Sequence, residues 1–395
     1  MERAQAGVLL NRAVSADATP IGAGTGPDAR FHAFDQLRAL AMLTGVLFHA
    51  ALAYSPLLHR FWPTADAQHS RWVDALVWLP HLVRMPLFFV VAGFFTAALT
   101  ARRGMDGLLR NRVRRILVPF LVAWPLVHGS VSQLTGWAAQ ALDQPSPLLL
   151  MLREWMAQPD PPALPPSTGH LWFLYYLLLF SVMTWAGRTL GLGALLRRWR
   201  ALGPHVVALT LPLLVLPGFL GTQAPHPAPE SLLPQFWAIA LYGPFFALGA
   251  ALQGQADWLA PLRSRVWPAA LLCLLLYAAF LWRLGVDAAH EPWATASWPV
   301  AVLESLVAAF GTLACLVAGV RWLDRPNAWM SYLARSAYWV YLTHLPILFA
   351  LQYLLLDVAL AWPWKFVLGV AATLALCVGS YELCVRRTRL AHWVG

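Results

Sequence analysis

Apolar residues along this chain come in blocks of about twenty, separated by polar, arginine-bearing or proline-rich segments. Ten blocks stand out, at about 37–55, 79–100, 116–134, 170–190, 205–220, 232–252, 267–283, 299–320, 331–356 and 364–384. Each is close to the ~20 residues that a helix needs to cross the hydrocarbon of a bilayer. The fifth and seventh are short, which predicts tilted or interrupted helices there. The pattern as a whole predicts an all-α protein, a polytopic membrane helix bundle with about ten transmembrane helices. Two connections are long, 56–72 and 143–169. The second is proline-rich around one amphipathic stretch from Leu148 to Met156, which predicts a re-entrant or interfacial helix. No internal repeat is visible, so the inverted-repeat signature of many transporters is absent.

Composition sharpens this picture. Hydrophobic residues make up 59% and charged residues 12%, against about 25% charged in an ordinary soluble domain. So little charge cannot cover the surface of a soluble fold of this length. The formal net charge of +10 does not point to nucleic acid, because the arginines lie between apolar blocks rather than in one patch. Alternate connections carry Arg102, Arg103, Arg110, Arg112, Arg114 and Arg115, then Arg197, Arg198 and Arg200, then Arg263 and Arg265, Arg321 and Arg325, and Arg386, Arg387 and Arg389. The opposite connections hold scattered cases such as Arg60, Arg71 and Arg153. The first set is therefore expected on the cytoplasmic side, with both termini there. Residues 1–30 lack a continuous apolar core, which argues against a secretory signal peptide and predicts a flexible tail. A transmembrane domain over 31–389 and a short tail over 390–395 complete the expected organisation. Cys273, Cys315, Cys377 and Cys384 all lie in or at the end of apolar blocks at spacings that match no metal motif. They are expected as small buried side chains, with neither disulfides nor a metal site.

Ionisable residues within membrane spans are rare and usually functional. Arg38 and His49 are eleven positions apart in the first block. That is about three helical turns and ~16 Å of rise, so both lie on one face, Arg38 near the cytoplasmic surface and His49 deep in the membrane. Asp35 stands three residues before Arg38 and can pair with it. A histidine at that depth suits general-base chemistry, because its reference pKa of ~6.5 lets it accept a proton near neutrality. A hydrogen bond between helices is the other reading. Arg112 and Arg115, three apart at the mouth of the third block, could grip phosphates or simply mark the cytoplasmic side. Arg84, expected near the outer end of the second block, opposes that charge rule and calls for a carboxylate partner, with Glu304 a candidate, or a ligand. His170 and Trp172 open the fourth block, where the indole could anchor at the interface or stack on a sugar ring. His344 lies in the ninth block, just before Pro346.

The segments FDQLRALAMLTGVLFHAALAYS, RMPLFFVVAGFF, RVRRILVPF, HLWFLYYL, SAYWVYLTHLPIL and YELCVRR together resemble the acyltransferase 3 family of membrane acyl-CoA-dependent O-acyltransferases. The likeness is greatest to its branch concerned with periplasmic glucan, and it extends over nearly the whole chain. It implies about ten helices in a bacterial inner membrane and transfer of an acyl group from a cytoplasmic thioester to an extracytoplasmic sugar. The donor would be acyl-CoA as a co-substrate, succinyl-CoA in the glucan branch and acetyl-CoA in others, with no permanently bound cofactor. The acceptor would be a periplasmic glucan or another glycan, and membrane lipids would surround the bundle. Arg38 and His49 match the family's paired Arg and His, and Arg112 and Arg115 its pair of arginines. One departure stands out. Pro86 occupies a position before Leu-Phe-Phe where many members carry Asp. The group that orients the base is thus left open between Asp74, Asp35 and Glu304. A transporter or flippase for a glycan precursor, with the buried charges lining its path, is the alternative function.

Overall fold

A computed structural model describes residues 32–162, 165–255, 257–290 and 297–394, apart from the side chains of 286–290. The expected tail over 1–30 lies outside them. The helices are α1 His32–Ala51, α2 Arg71–Arg112, α3 Val118–Ala141, α4 Pro147–Met156, α5 Trp172–Thr189, α6 Gly193–Ala201 and α7 Pro204–Leu220. They continue with α8 Phe236–Leu252, α9 Val266–His290, α10 Trp298–Trp322, α11 Ala328–Leu356, α12 Trp362–Ser380 and α13 Ala391–Val394. Each of the ten apolar blocks coincides with a helix, and the amphipathic stretch is α4. Ser146 caps α4 by accepting from Leu149 N, with Pro147 in its first turn.

Among the described residues, seven helical runs are long and apolar enough to cross a membrane, and α7 and α8 are two shorter apolar helices. One of the seven, Arg71–Ala141, holds two of the expected blocks. Gly104, in the left-handed region at φ 68°, breaks this run. Arg112 Nη2 then donates to Thr96 Oγ1 at 2.6 Å, whereas sixteen residues of straight helix would separate them by ~24 Å. The run therefore folds back on itself, and a wide turn over Val113–Leu117 leads into α3. The seventh block, expected to be short, is the 25-residue α9. Arg283 ends the apolar block there without ending the helix.

Without a hydrophobic drive between helices in lipid, close packing depends on small residues. A Cβ at Gly93 would lie 1.9 Å from the carbonyl oxygen of Phe246, and one at Gly249 would lie 1.8 Å from that of Val90. The α2 and α8 backbones thus touch through two glycines. Apolar side chains such as Leu121, Leu126, Leu213, Leu271, Leu354 and Leu376 are exposed, as befits lipid-facing surface. Exposed tryptophans Trp267, Trp322 and Trp329 sit at the arginine-bearing ends of their helices, and Trp72, Trp298 and Trp364 at the opposite ends, matching two interfacial belts.

The connections meet in two groups. At the arginine-bearing end, Arg321 Nη1 donates to Arg263 O at 2.8 Å, Gln36 Nε2 to Arg325 O at 2.6 Å, and Arg114 lies 5.3 Å over the Trp393 ring. The segment expected as a short tail thus carries α13 and packs against the bundle. At the other end, Ser146 Oγ donates to Pro63 O at 2.7 Å, Lys365 Nζ pairs with buried Asp66 at 2.7 Å, and Thr168 N donates to Glu230 O at 2.7 Å. Segments 55–70 and 221–235 are thereby tied down as a roof over that end.

Candidate active site

A cavity of about 650 Å³ runs among α1, α2, the Val113–Leu117 turn, α5, α8 and α11. At the arginine-bearing end its wall includes Arg102, Arg103, Arg112, Arg115 and Arg335. Arg38 follows, held by Asp35 Oδ1 at 3.2 Å and by Ala334 O at 3.1 Å, with its guanidinium 5.8 Å from the Phe95 ring. A largely apolar sleeve of Met42, Phe88, Phe95 and Leu99 separates these cations from the far end. There His49, His81, Arg84, His170, Trp172, Tyr242, Tyr341 and His344 converge, roofed by Pro227 and Ala228. Eight of the ten residues singled out in the sequence line this one cavity. Asp35 reaches it only through Arg38, and Glu304 lies off its wall.

Three of the four histidines at the far end form a chain. The His49 ring is 5.3 Å from that of His344, which is 5.1 Å from that of His170. His344 Nδ1 faces the carbonyl oxygens of Val340 and Tyr341 at 3.0 and 2.9 Å. His170 Nε2 faces Tyr341 O at 3.1 Å, and Tyr341 donates its hydroxyl back to His170 O at 2.6 Å. Among the described residues, no group of three or more His, Cys, Asp or Glu could hold a metal ion.

Arg84 departs from expectation. Its guanidinium does not meet Glu304. It lies 4.8 Å over the Phe48 ring, and its Nη1 occupies the space that a Cβ on Gly45 would need, at 2.7 Å. Gly45 is one helical turn before His49, on the side facing the arginine-bearing mouth. Arg84 therefore stands beside His49 rather than at the outer surface. Its Nε is buried without a hydrogen-bond partner, and among the described residues no carboxylate pairs with it. Glu304 is claimed instead by His226 from the roof, whose backbone N donates to Glu304 Oε1 at 3.3 Å and whose Nδ1 is 3.5 Å from it.

The candidates for orienting His49 are likewise occupied elsewhere. Asp74 accepts from Ser55 Oγ and from Leu57 N, and Asp35 and Glu304 are engaged as described. His49 Nδ1 is buried without a hydrogen-bond partner. Sequence reasoning passed over His81, Tyr341 and Trp62. His81 lines the cavity and bonds His226 O at 2.7 Å, and Trp62 comes from the 55–70 roof to stack on His49 at 6.0 Å, tilted by 19°. Tyr341 lies in a quoted motif, three residues before His344, so the helical period alone could have flagged it. His81, three residues before Arg84 on α2, carries the same signal, and Trp62 carries none.

Comparison with known proteins bears on the chemistry. The family described as Acyltransferase domain matches residues 31–382. The chain belongs to the acyltransferase 3 family. It is thus a membrane-bound acyltransferase. This acyltransferase is 35% identical over 101 residues to Glucans biosynthesis protein C of Escherichia coli K12, and equally so to those of Escherichia coli SMS-3-5 and Escherichia coli O139:H28. Those matches span 26% of this chain and 26% of each relative, about a quarter of their length. No solved structure matches it.

Proposed function

We propose that this acyltransferase takes an acyl group from acyl-CoA on the cytoplasmic side of a bacterial inner membrane and gives it to a hydroxyl of an extracytoplasmic glycan. In this reading the two segments of the folded-back run, the other long runs and the two short helices make ten crossings, with both termini cytoplasmic. The observation that carries the proposal is that one cavity is lined by Arg112 and Arg115 at one end and by His49 at the other.

The CoA phosphates would meet the arginines at the mouth, where charge-assisted hydrogen bonds are strong. Its pantetheine arm suits the apolar sleeve, and the thioester would arrive beside His49. The acceptor hydroxyl gives its proton to His49 as its oxygen attacks the thioester carbonyl. The C–S bond breaks, and the imidazolium returns the proton to the departing thiolate. Trp62 and Trp172 offer aromatic faces for the sugar. The relatives named for glucan biosynthesis favour a periplasmic glucan as acceptor and, by the resemblance, a succinyl donor. Arg84 supports that donor choice, because a buried cation without a carboxylate suits an acyl chain that ends in one.

The test is acyl-CoA consumption by the purified protein with glucan present, together with mass spectrometry of glucans from cells with and without the gene. Acyl-CoA turnover and gene-dependent acylation are the expected result. A purified protein that moves glycan but leaves acyl-CoA intact would instead be a transporter.

A further inference from the structure

We infer that His344 is the positioning residue for His49, filling the place of the missing carboxylate by accepting the Nδ1–H of the base on its own Nε2. The inference rests on the proposed role of His49. Its physical basis is the tautomer of His344. A ring nitrogen that faces a carbonyl oxygen must carry the hydrogen, because the oxygen can only accept. His344 Nδ1 faces two such oxygens, Val340 O at 3.0 Å and Tyr341 O at 2.9 Å. In a neutral imidazole the other nitrogen is then a bare acceptor. That atom, His344 Nε2, is buried and has no hydrogen-bond partner.

His49 presents the complement. Its Nδ1 is also buried without a partner, and the two rings lie 5.3 Å apart with a tilt of 46°. At that centroid separation, ring nitrogens turned toward each other come within reach of a hydrogen bond, and hydrogen bonds in catalytic sites are often long until substrate is bound. His170 braces the arrangement from the far side, since its Nε2–H shares Tyr341 O with His344. Once His49 Nδ1–H is held, His49 Nε2 is the atom free to take the acceptor's proton. His344 then stabilises the imidazolium until the proton passes to the leaving thiolate. No proton is left behind, and His344 keeps its own throughout.

The test uses the full-length purified protein with His344→Phe and His344→Gln. Phenylalanine keeps a ring but offers no acceptor, whereas glutamine can donate to the helix carbonyls and accept from His49 at once. His344→Phe should lower kcat by roughly tenfold to a hundredfold, by analogy with the loss of the hydrogen-bond partner that orients a metal-ligating histidine. KM for acyl-CoA and thermal stability should be unaltered, and His344→Gln should recover most of kcat. Full kcat in His344→Phe, equal losses in both variants, or a loss that tracks acyl-CoA affinity would overturn the assignment. A wild type that leaves acyl-CoA intact, or an active His49→Ala, would instead strike the proposed function itself.

Discussion

At the scale of the residue, the arrangement around His49 makes two expectations concrete. General-base catalysis contributes typically 10²–10⁴-fold, so His49→Ala should lose at least ~100-fold in acyl transfer while inserting and purifying normally. Near-normal glucan acylation by a well-expressed variant would remove His49 as the base. Arg84→Met tests the donor. Competition between succinyl-CoA and acetyl-CoA should shift toward acetyl by roughly tenfold or more, since the succinyl carboxylate would lose its cation in a dry site. An unaltered preference would leave Arg84 no part in donor choice. Arg38 and His49 were legible in the sequence because both sit on one helix, where spacing dictates the shared face. The direction in which Arg84 points was not. Its counterpart Gly45 is on another helix, and a glycine marks nothing until a guanidinium is seen in the space it leaves.

Helices were the most legible elements, since apolar block length alone located ten of the thirteen described ones. What the blocks could not convey is how the helices meet. Gly93 and Gly249 lie 156 positions apart, and their pairing is a product of the folded bundle. That contact yields a sharp expectation. A side chain at Gly249 would strike the backbone of Val90, which cannot swing aside as a flexible side chain would. Gly249→Val should therefore destabilise by at least the ~1–3 kcal/mol typical of overpacking, read as a lower midpoint of thermal unfolding in detergent. Gly136, whose added Cβ would meet nothing within 4 Å, provides the control, and Gly136→Val should fall far less. A Gly249→Val protein as stable as wild type would mean that α2 and α8 do not touch there.

For the molecule as a whole, charge placement and cavity placement can be separated. Arg112 and Arg115 line the cavity, as do Arg102 and Arg103, and with those two and Arg110 and Arg114 left in place the same connection stays basic. Replacing Arg112 and Arg115 together by leucine should weaken acyl-CoA binding by tenfold or more, on the order of two charge-assisted contacts. A cysteine-accessibility map of orientation should be unaltered. Unchanged affinity would leave these arginines only a topological part. The sequence could suggest that Arg112 and Arg115 and the histidines serve one reaction. It could not show that they share a cavity, because that depends on the fold-back after Gly104 and on α11 lying beside α1.

The roof over the histidine end has an electrical consequence. An aqueous cleft entered from one face of a membrane carries that face's potential inward, so most of the voltage falls across the thin barrier that remains. With the arginine-bearing mouth open to the cytoplasm, as proposed, that barrier would be Trp62, Pro227, Ala228 and the segments that hold them. Moving one elementary charge through the full potential is worth about 2.3 kcal/mol per 100 mV. A succinyl group delivered from the cleft to a sugar outside would take its negative charge from the negative side to the positive side. The membrane's own polarisation would then pull each product outward, and transfer of a charged acyl group would be harder to reverse in an energised cell than that of a neutral one.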